Sequence, residues 1–104
     1  MCTSHFLGNV HIDVDVAADV AGAETYAVAF HRYTDDGGVP TDMWAALRYV
    51  DRFERRGGEW RIQARVCAYE WRRTDPVEGD GGFADAYVRG RRGPDDIVYR
   101  ILDA

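Results

Sequence analysis

The chain has 104 residues, 46% of them hydrophobic, and a formal net charge of −5; that is enough for one domain with a core, and its sign argues against a nucleic-acid or anionic-membrane surface. All thirteen basic residues are arginine, which excludes a Schiff-base lysine and a phosphate-loop lysine. The two cysteines, Cys2 and Cys67, have no metal-ligand or disulfide-framework spacing, no apolar run approaches the ~20 residues of a membrane span, and the N-terminus lacks the basic-then-apolar order of a signal peptide, so a reducing, cytoplasmic location is expected.

Residues 9–16 alternate, with Val10, Ile12, Val14 and Val16 on one side and His11, Asp13 and Asp15 on the other, the period of a half-buried strand. A turn is expected over 17–22. Alternation resumes over 24–32, where Tyr26, Val28 and Phe30 point one way and Thr25, Ala27, Ala29 and His31 the other; the short side chains of the second set leave room for close packing. Asp35, Asp36, Gly37, Gly38 and Pro40 make a polar loop.

Two long strands, 43–55 and 59–73, follow, joined at Gly57-Gly58, where a two-residue turn needing positive φ at both positions forms most easily. Counting outward from that turn sets Phe53 opposite Ile62, Tyr49 opposite Val66 and Leu47 opposite Ala68, with Glu54 meeting Arg61 on the other face. The same ideal pairing puts Arg65 with Arg48, Arg52 and Cys67 on the polar side of the hairpin, away from Phe53 and Ile62. Residues 1–73 thus give a four-stranded antiparallel meander, and 74–104 an irregular tail, with a short helix over 83–89 and a small apolar anchor at Tyr99, Ile101 and Leu102. An open sheet of this kind has two faces and two edges, and no helix in the sequence is long enough to cover either face. A partner subunit, a domain swap or a further N-terminal segment is expected to cover it, which makes a homodimer or other oligomer the expected state.

The run from Arg48 through Glu54, Gly57-Gly58 and Trp60 to Ile62, the earlier Thr3-Ser4-His5-Phe6-Leu7-Gly8-Asn9, and the closing Arg91-Arg92-Gly93-Pro94-Asp95-Asp96 with Tyr99-Arg100 resemble SnoaL-like proteins of the nuclear transport factor two-like superfamily. The resemblance implies one α+β domain over 1–104: a curved antiparallel sheet wrapped into a cone, with helices at the N-terminal end closing an apolar pocket. This sequence begins where those helices would have ended, so Met1 reads as an internal start and the helices as mostly missing. In this superfamily, dehydratases of the scytalone type and the hexachlorocyclohexane dehydrochlorinase use a histidine matched by His5 as general base, oriented by a helical aspartate. An arginine on the last long strand, best matched by Arg65, assists the leaving group; polyketide cyclases of the SnoaL type use an aspartate instead.

The expected function is therefore binding of a small apolar molecule, with lyase, isomerase or cyclase chemistry by proton abstraction in the full-length form and none in this chain alone. The alternative is a non-catalytic dimerisation or accessory-subunit module. His5 and Arg65 are the catalytic candidates. Tyr26, Phe30, Tyr49, Tyr69 and Trp71 are the candidate pocket lining, although aromatic residues in a sheet this size also serve as core. Trp44 and Trp60 are read as packing or dimer contacts, and His11 and His31 as outward-facing or structural, since nothing beside them has the spacing of a metal site. No cofactor and no metal is implied.

Overall fold

Alternation marks the strands, yet they run well beyond it. In the computed structural model, which describes residues 2–79 and 86–102, β1 is Cys2–Asp15, β2 Val20–Thr34, β3 Pro40–Arg56 and β4 Glu59–Pro76. They form one antiparallel sheet in the order β1-β2-β3-β4, the expected meander. The β3–β4 turn is at Gly57-Gly58, with φ of 59° and 81°, the left-handed pair that a two-residue hairpin turn requires. The β1–β2 turn is tighter than the expected 17–22: Asp19 takes a φ of 55° and β2 begins at Val20.

Strict alternation fails at three points, all on the two edge strands. On β1 the register shifts between Leu7 and Val10, so Leu7 pairs with Ala27 and Val10 with Thr25. On β4 an extra residue enters at Gln63, with Phe53 opposite Ile62 but Arg52 opposite Ala64. A second enters at Glu70, with Leu47 opposite Tyr69 but Ala46 opposite Trp71. Each bulge turns everything beyond it to the opposite face. The pairs Phe53–Ile62 and Glu54–Arg61 are as counted from the turn. Tyr49 lies opposite Cys67, not Val66, and Leu47 opposite Tyr69, not Ala68; both differences come from the residue inserted at Gln63. The beginning of β1 escaped the alternation pattern for the same reason, because Thr3, His5 and Leu7 are out of phase with Val10, Ile12 and Val14 yet share their face.

The buried residues lie on that face. Ala27, Ala29, Ala45 and Leu47 form the apolar cluster, with Met43 and Tyr49 packed against it. Alanines on adjacent strands leave a low floor over which larger neighbours fold. The opposite face carries Phe6, Tyr26, Val28, Trp44, Val66 and Trp71, all exposed. The radius of gyration is 18.5 Å, where a compact chain of this length would have about 13 Å, as befits an open sheet.

The tail differs from expectation. Part of the helix expected over 83–89 lies outside the described residues, and 86–89 are not helical. The helix observed is α1, Ile97–Leu102. Asp96 precedes it and accepts the N–H of Arg91 at 2.6 Å and of Val98 at 3.0 Å; these bonds hold its carboxyl below the usual aspartate range, the Arg91 bond most. Tyr99, Ile101 and Leu102 are exposed and do not anchor the tail on the sheet. Arg92 does reach the sheet, donating from Nη2 to Thr3 Oγ1 at 2.9 Å.

Candidate functional site

Two of the bulges decide what stands beside what. With unbroken alternation His5 would sit opposite Phe30, and Arg65 opposite Val50, both on the face of Tyr26 and Trp44. The insertion at Gly8-Asn9 puts His5 opposite Ala29, and the one at Gln63 puts Arg65 opposite Asp51. Both therefore stand on the alanine-floored face with Tyr49. Arg65 is thus not on a polar side with Arg48 and Arg52, as ideal pairing had it.

A chain of polar contacts crosses this face. His31 and His5 meet with Nε2 atoms 3.2 Å apart and ring centroids 5.3 Å apart. At that distance one ring nitrogen carries the proton and the other accepts it. The Tyr49 hydroxyl lies 3.4 Å from His5 Nδ1, so Tyr49, His5 and His31 form a line along which either tautomer can be accommodated. The Arg65 guanidinium lies over the Tyr49 ring, 4.3 Å from its centroid. Its Nε and Nη2 donate to the two carboxylate oxygens of Asp51 at 2.7 and 2.9 Å, and this pairing raises the Arg65 pKa above its already high ordinary value. The Asp51 side chain is 2% exposed and that of Arg65 42%. The carboxylate is the buried anchor, and the arginine is the partly exposed partner.

Beside this chain runs an apolar groove of about 450 Å³, its walls including Val10, Ile12, Val14, Phe53 and Trp60, with Asp51 and Arg65 at its edge. That volume is in the range of small-molecule sites. A larger hollow of about 940 Å³ lies in the tail among Tyr87, Arg91, Pro94 and Ile97, away from these residues.

The five aromatic residues expected to line one pocket are divided between the two faces. Tyr49 and Tyr69 are on the alanine face; Tyr26 and Phe30 are on the other, with the Phe30 ring tilted against that of Trp44, centroids 4.7 Å apart. Trp71 joins them there because the Glu70 bulge turns it away from Leu47. Asp51 is not singled out by sequence reasoning, and His31 is given no functional role there. His31 had been read as outward-facing or structural, and its contact with His5 depends on a strand start and a bulge that alternation hides. Asp51 could have been noticed as a carboxylate alternating with Phe53, Tyr49 and Leu47.

The family model for the SnoaL-like domain matches residues 2–66. The chain belongs to this family. SnoaL-like domains fall in the nuclear transport factor two-like superfamily, whose fold binds small ligands. The match takes in β1, β2, β3 and the start of β4, and with them His5, His31, Tyr49, Asp51 and Arg65; the closing motif at Arg91–Asp96 lies beyond it. No curated protein and no solved structure matches the chain. Among the described residues of this SnoaL-like domain, no group of three or more His, Cys, Asp or Glu side chains is arranged to hold a metal, and no helix is long and apolar enough to cross a membrane.

The Asp51–Arg65 pair generates a prediction about stability. Replacing Arg65 with Met leaves a buried carboxylate without its partner, which costs about 1–3 kcal/mol. The double variant Asp51→Leu/Arg65→Met is expected to recover part of that loss in urea unfolding. Removal of Arg61, whose partner Glu59 is exposed, is expected to cost far less.

Proposed function

We propose that this SnoaL-like domain binds a small, largely apolar molecule on the alanine-floored face and that His5 serves as the general base toward it. The observation carrying this reading is the run of contacts from His5 through Tyr49 to Arg65 on one face, with Arg65 also lining an apolar groove. A ligand seated in the groove, on Val10, Ile12 and Phe53, meets Arg65 and Asp51 in its lining; in this reading its reacting end reaches past Arg65 to the Tyr49 hydroxyl and the His5 ring on the same face. In this reading His5 takes a proton from carbon or oxygen. The Tyr49 hydroxyl and the Arg65 charge stabilise the negative charge that develops on the substrate, as an enolate or a departing anion. His31 occupies the place that a carboxylate takes in a conventional histidine dyad and fixes the His5 ring through Nε2. Elimination, isomerisation and cyclisation all begin with such an abstraction.

The test is exchange of the acidic α-proton for deuterium in a panel of aryl ketones and β-dicarbonyl compounds, followed by NMR with the purified chain. Against the inactivity that the sequence alone leads one to expect of this chain, accelerated exchange of at least one compound is predicted, with His5→Ala lowering it by about 10²–10⁴-fold and Tyr49→Phe by less. Undiminished exchange in His5→Ala would overturn the assignment.

A second reading rests on the other face, where Phe6 is 74% exposed, Trp71 53% and Tyr26 48%. We infer that this face is an association surface between copies of the chain, whether or not the alanine face is catalytic. Light scattering of the full chain is expected to give the mass of a dimer or higher species, reduced to that of one chain by Tyr26→Glu. A monomeric wild-type chain would remove this reading.

A further inference from the structure

We propose that His5 and His31 together form a two-ligand site for a borderline-soft divalent cation of the zinc, nickel or copper(II) type, its remaining positions filled by water. The two residues are 26 positions apart in sequence, so no spacing motif announces them. They come together because His5 pairs with Ala29 and His31 with Thr3, which places the two imidazoles diagonally across adjacent strands on one face.

The separation of the two nitrogens suits chelation. Imidazole nitrogens bound at about 2.0–2.1 Å to zinc stand about 2.9 Å apart at a right angle and about 3.4 Å apart at the tetrahedral angle. The two Nε2 atoms are 3.2 Å apart, inside that span, and the ring planes are inclined at 58°. A modest rotation of each ring turns the two lone pairs from one another toward a shared point. Such rotation is open to these residues: His5 is exposed and faces the small Ala29, and His31 is half-buried between Thr3 and Met43. The Tyr49 hydroxyl at His5 Nδ1 is the kind of outer hydrogen bond that orients a ligating imidazole with Nε2 toward the metal.

Ligand type selects the cation. Two imidazoles without a carboxylate suit copper(II), nickel and zinc, and offer nothing to magnesium or calcium. The nearby charges of Arg92, bonded to Thr3, and of Arg65 are both positive, so affinity comes from the nitrogens and not from the field. Because only two protein ligands contribute, water or a chelating small molecule completes the shell. The bound cation occupies the nitrogen that otherwise hydrogen-bonds His31, so metal-bound and hydrogen-bonded forms of the pair exclude each other. Binding is read directly and does not depend on whether His5 is a base.

The experiment is titration of the tag-free full chain with NiCl₂ and ZnCl₂ by calorimetry, with MgCl₂ as the control. One equivalent is expected for nickel and zinc and none for magnesium. His5→Ala and His31→Gln should each weaken binding at least about tenfold, consistent with the loss of one of two ligands, whereas His11→Ala and Cys2→Ser leave it unchanged. In case a substitution perturbs the sheet, the wild-type chain is also titrated with copper(II) while its histidine ring resonances are followed, those of His5 and His31 being expected to broaden first. Absence of binding, broadening of His11 first, or affinity unchanged in both His5→Ala and His31→Gln would overturn the proposal.

Discussion

The side-chain alternation of a β-strand is the constraint on which this domain depends, and the three bulges that interrupt it give the two faces their content. A strand residue has no choice of face once its partner is set. One inserted residue in β1 and one in β4 bring His5 and Arg65 onto the face of Tyr49 and the buried alanines. The insertion at Glu70 sends Trp71 the other way. All three lie on edge strands, where an extra residue disturbs only one ladder and also blunts the open edge against pairing with another chain. The central strands β2 and β3 are paired without interruption from Val20–Glu54 to Thr34–Pro40 and act as the fixed ruler.

On that ruler the residues of the alanine face differ sharply in size, and this difference makes a site. Ala27, Ala29 and Ala45 keep the floor low, so Tyr49 packs against it and His5, opposite Ala29, stays exposed. Asp51 is the exception, a carboxylate sunk among apolar neighbours. A charge in such a position is tolerated only when paired, and its bidentate bond to Arg65 fixes that cationic side chain over the Tyr49 ring. The buried charge thus provides orientation more than stability.

Most of the fold was legible in the residues. The Gly57-Gly58 turn, the polar loop before Pro40 and the small-against-large alternation of β2 each have a local cause that sequence displays. The pairs nearest the turn were placed correctly for that reason. Bulges have no comparable signature: Gln63 and Glu70 are ordinary strand residues, and the glycine of Gly8-Asn9 looks like a strand boundary. The misplaced faces of His5 and Arg65 follow from counting through these insertions, whereas the division of Tyr26 and Phe30 from Tyr49 is plain alternation across the unbroken β2–β3 ladder. The helix Ile97–Leu102 was missed because its six residues are too few to display a period. The link between His5 and His31 lay beyond local reading, since it joins two strands through a register shift.

The central claim is that His5 and Arg65 share a face because β1 and β4 each carry an inserted residue. The most direct measurement is the set of short cross-strand proton contacts in the NMR spectra of the full chain. Contacts of Tyr49 with Cys67, Arg65 with Asp51 and His5 with Ala29 are expected. Contacts of Tyr49 with Val66, Arg65 with Val50 and His5 with Phe30 would show unbroken alternation, separate the two residues from Tyr49, and contradict the account.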